Sequence, residues 1–234
     1  MSLDITPLHD NIIHFEELDI TSPSSIHILI SKIASPIDVL INNAAVTFHP
    51  ETGYEDAVST LSVNYLGTRT ICEIFLTTGK MSSNPICRIV NVSASGSSQS
   101  GSFDPSICAQ LTSPSLTLPS LDRLASEYLE SVKEGSETES GWNHINSSYN
   151  VSKSFVNALT SVLATKYALV KINCCCPGWN RTDMGRLGGD GGKDPMDGAK
   201  IPVKLAIGHI GDVSGGYWAN ESITNTDDGR LMAW

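Results

Sequence analysis

The sequence predicts an α/β domain in which a doubly wound, mostly parallel sheet is flanked by helices. Three observations carry this expectation. Residues 36–42, 86–92 and 169–175 are short, nearly continuous apolar runs of the kind found in strands buried on both faces. Longer segments between them repeat apolar residues at helical spacing. Strand and helix alternate along the chain, which predicts a parallel sheet whose crossover handedness is nearly fixed. With 234 residues, 40% hydrophobic and 17% charged, the chain can bury one sizeable core. No linker or repeat divides it, so residues 1–234 are read as a single domain.

The elements follow in order. Residues 12–19 form an apolar-biased run expected as the first strand, and Thr21 or Ser22 can cap the helix after it. That helix presents Ile26, Leu29, Ile30 and Ile33, and strand 36–42 completes a strand–helix–strand unit. A long helix from about 55 to 78 aligns Ala57, Leu61, Tyr65, Thr68, Cys72 and Phe75 on one face ahead of strand 86–92. Residues 94–148 break the rhythm: Ser- and Pro-rich to Pro119, then a capped, charged helix over about 120–134, then a polar stretch. Its span of about 104–146 reads as a helical insertion over a site. The helical period returns over 149–167, and strand 169–175 is halted by Pro177-Gly178. A Gly-rich flexible loop (185–192), a helix (197–208) and a short strand (216–219) close the chain.

Charge and composition exclude several functions. Fifteen Lys and Arg against 25 Asp and Glu give a net charge of −10, which opposes sequence-independent binding to nucleic acid or to an anionic membrane. No apolar run reaches the roughly 18 residues of a membrane span, and residues 1–10 lack the pattern of a signal peptide, so the chain is expected to be cytoplasmic. Six cysteines have no Cys-x-x-Cys spacing, and Cys174, Cys175 and Cys176 would alternate faces along a strand. They read as reduced thiols, and no metal site is expected. The six His form no His-Glu-x-x-His, and no Ser sits in Gly-x-Ser-x-Gly.

Ligands of such sheets lie beyond the carboxyl ends of the strands, which directs attention to Asp19, residues 42–45, 93–96 and 177–183. Tyr149 and Lys153 open a helix one turn apart on one face. An ammonium beside a phenol stabilises the tyrosinate, so this pair suits acid/base chemistry, although a solvated helix face has the same spacing. Tyr167 and Lys171 repeat it, but across a helix-to-strand boundary where the geometry fails.

Four further segments, in order, resemble the short-chain dehydrogenase/reductase family over nearly the whole chain. Residues 38–45, Asp-Val-Leu-Ile-Asn-Asn-Ala-Ala, resemble its Asn-Asn-Ala-Gly segment, and Val63-Asn64-Tyr65-Leu66-Gly67 resembles its helix carrying a catalytic Asn. Residues 88–93 resemble the strand before its catalytic Ser, and Cys176-Pro177-Gly178-Trp179 with Arg181-Thr182-Asp183 resembles its nicotinamide-side segment. Gly141-Trp142, the Cys-Cys-Pro-Gly-Trp run and Trp234 look most like the carbonyl reductase branch. The resemblance implies a Rossmann-like fold and NADPH-dependent reduction of a ketone or aldehyde, or oxidation of the alcohol. It implies Tyr149 as proton donor, Lys153 as pKa modulator and ribose ligand, and Asn64 as organiser of a water and the lysine. Asp19 would touch the adenine; Asn42 and Ala44 would line the cofactor cleft through the backbone; Pro177, Gly178 and Thr182 would lie on the nicotinamide side. For Asn43, a side chain bonding adjacent strands is an equal reading.

Two departures from the family pattern stand out. Met1 falls just before the family's third strand, so the Gly-rich pyrophosphate turn and its strand–helix unit are expected to be absent, leaving the fold truncated at its N-terminal edge. The expected catalytic Ser, three residues after Asn91, is Ala94, with Ser93 and Ser95 as the neighbouring candidates. Two alternatives therefore stay open. One is a nucleotide-free dehydratase, isomerase or cyclase using Tyr149 and Lys153. The other is a catalytically inactive binding or dimer-modulating subunit. The partner expected is a small-molecule carbonyl or alcohol; monomer or dimer is undecided.

Overall fold

Alternation of side chains along each strand decides which helix covers which face of the sheet. The computed structural model describes residues 15–49, 53–97, 103–142 and 148–234. Strands β1 (Val39–Asn42), β2 (Arg88–Val92), β3 (Lys171–Cys175), β4 (Tyr217–Ala219) and β5 (Arg230–Met232) lie side by side in chain order. The first four are parallel and β5 is antiparallel to β4. Leu40, Ile89 and Ile172 point to one face, where they join the larger apolar cluster; Val39, Val90, Cys175 and Trp218 point to the other.

The larger cluster receives α1 (Pro23–Lys32), α2 (Tyr54–Leu61), α3 (Thr68–Thr77) and α6 (Ser148–Lys166). Ser22 caps α1 through a bond from the Ser25 N–H, with Pro23 in its first turn. The expected helix 55–78 is α2 and α3 joined by a π-helical turn, Ser62–Gly67, and all six residues of its predicted face are buried. Helix α6 runs beneath everything else: from Val151 to Thr160 every residue is buried, including Lys153 and Asn157. Side chains bond its interior to the sheet, Asn42 Nδ2 donating to Asn91 Oδ1 at 2.8 Å and Asn91 Nδ2 to Thr160 Oγ1 at 2.9 Å.

The insertion forms α4 (Pro105–Leu111) and α5 (Leu118–Glu134), the latter capped by Thr117. Leu121, Leu124, Ala125 and Tyr128 turn inward against α2 and α6. Trp142 anchors its far end, 1% exposed, with ring centroids 5.2 Å from Tyr128, 5.8 Å from Phe103 and 5.9 Å from Phe155.

Helix α7 (Asp183–Arg186) is a single turn that runs into the start of the expected flexible loop, 185–192; α8 (Pro195–Ile207) covers the opposite face through Ile201, Leu205 and Ala206. This placement modifies the expected crossover rule. The strands advance in one direction from β1 to β4, yet α3 and α6 lie on one face and α8 on the other. The β3-to-β4 connection therefore has the opposite hand to the two before it. Its length permits this, because α8 packs back over β2 and β1 before residues 208–216 return the chain to β4.

Three expectations about strands change. Residues 12–14 lie outside the described residues and 15–19 carry no strand, so among the described residues β1 is paired on one side only. Strands β2 and β3 start two residues late, since their register opens at Arg88 opposite Lys171; Ile86 and Leu169 are left 67% and 61% exposed. Strand β5 is additional: its side chains are largely exposed and give no alternating apolar pattern to read.

Candidate active site

Beyond the carboxyl ends of β1, β2 and β3, residues 43–49, 92–95 and 176–188 wall a cavity of about 750 Å³. Helix α6 adds Tyr149 and Lys153, and the loop after β4 adds Ile223. Helical spacing puts both α6 side chains on the cavity side, with Lys153 Nζ 5.7 Å from the centre of the Tyr149 ring. The ammonium donates to the Val92 carbonyl at 2.7 Å, the last residue of β2. Lys153 is 3% exposed, and its desolvation pulls its pKa down to about 8; burial pushes the Tyr149 phenol up to about 12.

The two serines flanking Ala94 differ in what holds them. Ser93 is buried, donates Oγ to the Lys153 carbonyl at 3.1 Å and its N–H to the Cys175 carbonyl at 2.7 Å, tying β2 to α6 and β3. Ser95 is exposed and lines the cavity. Ala94 accepts a bond from the Tyr217 hydroxyl at its carbonyl, 3.4 Å away.

Ala44, Pro177, Gly178 and Thr182 also line the cavity; Asp19, Asn42 and Asn64 do not. Asp19 is exposed, and its carboxylate accepts from the Thr21 N–H and hydroxyl, which holds its pKa below the ordinary carboxylate range. The strand-bonding role weighed for Asn43 falls to Asn42, because alternation turns Asn42 inward toward Asn91 while Asn43 faces the cavity. Asn64 acts on the site indirectly. Its amide exchanges two bonds with the Val46 backbone, at 2.8 and 2.9 Å, and donates to Ser152 Oγ at 3.0 Å. It thus pins the loop after β1 to α6 from the π-helical turn, where the widened backbone brings the side chain out.

None of the insertion's described residues, 104–142, lines this cavity. The insertion's apolar face is instead taken up by α2 and α6. Trp179, His49, Met184, Leu187 and Ile223 line the cavity as well. Of these only Trp179 belongs to a segment the sequence singles out; Ile223 comes from a loop with no distinguishing pattern. Among the described residues no group of His, Cys, Asp and Glu is arranged to hold a metal, and no helix is long and apolar enough to cross a membrane.

Residues 6–107 match the family model described as short chain dehydrogenase. Carbonyl reductase [NADPH] 1 of Sus scrofa is 34% identical over 206 residues, covering 82% of this chain and 68% of the relative. Among solved structures, salutaridine reductase from Papaver somniferum superposes with a TM-score of 0.75 at 27% identity, covering 87% of this chain and 81% of its own. Menthone neomenthol reductase from Mentha piperita gives 0.71 at 25%, covering 87% and 78%.

Proposed function

Because the chain belongs to the short-chain dehydrogenase/reductase family and is an oxidoreductase of that type, we propose that it reduces a ketone or aldehyde with NADPH, Tyr149 serving as the acid/base. The observation that carries this reading is the meeting of Tyr149, Lys153 and the Ser95 hydroxyl at one cavity beyond the strand ends. The walls suit the ribose–nicotinamide end of the dinucleotide. Gly178 sits at φ +78°, and a Cβ there would lie 2.4 Å from the Ile223 carbonyl, so this turn stays free of side chain. Thr182 Oγ1 accepts from the Gly185 N–H at 3.1 Å, which leaves its own proton to donate to a carboxamide. Ala44, Pro177, Gly178, Thr182, Tyr149 and Lys153 would hold that end; Asp19, outside the cavity, is assigned to the adenine end, and Asn42 supports the cleft by holding β1 to β2.

NADPH, when bound, supplies the hydride that reaches the carbonyl carbon. The carbonyl oxygen takes the Tyr149 proton, giving the alcohol, and the reverse sequence oxidises the alcohol. Lys153, charged below about pH 8, stabilises the tyrosinate that proton transfer leaves behind. Ser95 donates to the carbonyl oxygen as negative charge develops, the task usually given to the residue at position 94. Asn64, through Val46, and Ser93, through the Lys153 backbone, keep these groups in register.

The test is calorimetric titration with NADPH and NADH, followed by NADPH oxidation over a panel of aliphatic, cyclic and aromatic carbonyls. We expect NADPH to bind and at least one carbonyl to be turned over, and Tyr149→Phe to lower kcat about 10²–10⁴-fold. A folded sample that binds nucleotide yet reduces nothing in the panel would sink the reading. Turnover of a substrate without nucleotide, lost in Tyr149→Phe, would replace it with dehydratase, isomerase or cyclase chemistry.

A further inference from the structure

Residues 220–229, between β4 and β5, have no regular structure and are mostly exposed, yet their carbonyls are met in succession by donors, most of them from other segments. Trp179 donates its N–H to the Ile223 carbonyl at 2.9 Å. Lys193 Nζ reaches the Asn225 carbonyl at 2.7 Å, Lys200 Nζ that of Thr226 at 3.0 Å, and Lys204 Nζ that of Gly229 at 2.8 Å. Asn220 Nδ2 donates to the carbonyls of Asn225 and Asp227, each at 2.9 Å. Lys200 and Lys204 stand one turn apart on α8, and Lys193 immediately precedes its capping residue Asp194. Water satisfies an exposed loop carbonyl at no conformational cost, whereas a held lysine loses most of its rotamer freedom. Three lysines gripping one loop imply that its position matters.

The near end of the loop explains why. Ile223 lines the catalytic cavity while 42% exposed, beside Trp179 and the 45% exposed Leu187, and these form an apolar mouth. Trp179 is fixed on three sides: by the Ile223 carbonyl, by the Lys193 N–H donating to its own carbonyl at 2.9 Å, and by its indole Nε1 donating to the Gly185 carbonyl at 2.8 Å. Lys193, 8% exposed, joins both halves, since its backbone pairs with Trp179 and Arg181 while its ammonium holds Asn225. A Cβ on Gly178 would lie 2.8 Å from Lys193 Nζ, so turn, lysine and loop meet with no spare room.

We propose that Lys193 is a positioning residue that locks the 220–229 loop to the segment carrying Trp179, making Ile223 and Trp179 a rigid wall that selects the carbonyl substituents the cavity admits. The selection rests on the carbonyl-reduction reading above; the lock itself is a property of the fold.

The variants are Lys193→Met and Lys193→Arg, with the Lys200→Met/Lys204→Met double variant at the more exposed end, because removing a buried ammonium can cost the fold itself. Amide hydrogen exchange is followed at Trp179 and in β2 and β3, alongside NADPH oxidation with a bulky bicyclic ketone and a small aliphatic aldehyde. In Lys193→Met, Trp179 exchange is expected to accelerate about tenfold with β2 and β3 unchanged. Its KM for the bulky ketone should rise about tenfold, with kcat and the aldehyde KM within about twofold, and Lys193→Arg should restore both. The double variant should move Trp179 exchange in the same direction by a smaller factor. Unchanged Trp179 exchange in a folded Lys193→Met or, where that variant does not fold, in the double variant overturns the proposal, as does acceleration spread through β2 and β3 or an equal KM rise for both substrates. If the wild type reduces neither carbonyl, the reduction reading falls, and exchange alone decides whether the lock stands.

Discussion

The chemistry of the site turns on three side chains whose environments differ sharply. Burial drives Lys153 down to about 8 and Tyr149 up to about 12, so of these two only the lysine changes charge between pH 7 and 10. Reduction, which uses the neutral phenol and the ammonium, should therefore fall as pH rises through about 8, read as kcat/KM against pH. Stability has the opposite sign. Between about 8 and the ordinary lysine value of 10.5 the unfolded chain binds a proton that folded Lys153 does not, so this group's contribution to stability rises with pH in that window. Urea denaturation at pH 8 and 10 in wild type and Lys153→Met checks it: the wild type should gain relative to the variant. The serines separate in the same way. Ser95→Ala should cost ~100-fold in kcat/KM with folding intact, whereas Ser93→Ala should cost about 1 kcal/mol of stability, read by urea unfolding, through its lost bond to Lys153.

At the scale of elements, α6 is shared between the chemistry and the core, and the insertion is what closes its outer side. Tyr65 donates to Asp122 Oδ1 at 2.8 Å, and Arg69 pairs with the same carboxylate, so α5 is tied to the helix carrying Asn64 as well as packed on it. Trp142, packed between Tyr128, Phe103 and Phe155, fastens the far end. Trp142→Ala should lose about 3–5 kcal/mol, measured by urea unfolding. Because no described residue of the insertion lines the cavity, kcat per folded molecule should stay within about twofold of wild type. A large fall in kcat at full folding would place the insertion in the site after all.

At the scale of the whole molecule, the described sheet ends on β1 at one margin and on β5 at the other. Strand β5 shields β4 by antiparallel pairing, whereas β1, among the described residues, is paired only with β2 and leaves Ile41 43% exposed. An unpaired edge beside an exposed apolar side chain favours association with another strand. Light scattering should show the 234-residue chain associating as its concentration rises, and Ile41→Lys should suppress this without lowering the thermal midpoint. A monodisperse wild type at high concentration would remove the basis for this expectation.

What the sequence determined by itself is what local pattern encodes. Burial of Ala57, Leu61, Tyr65, Thr68, Cys72 and Phe75, the buried runs of β2 and β3, a helix cap at Thr21 or Ser22 and the one-turn spacing of Tyr149 and Lys153 all follow from periodicity and backbone geometry. Ordered motifs extended this to the family. The tertiary structure alone decided the opposite hand of the last crossover, the inward turn of Asn42 in place of Asn43, the packing of α5 against α2 and α6, and the gripping of Asn225 and Trp179 by Lys193. Each depends on contacts between residues far apart in the chain. Lys193 and Asn225 are joined across 32 positions, Asn42 and Asn91 across 49, and no local periodicity records which distant group will satisfy a given carbonyl or amide.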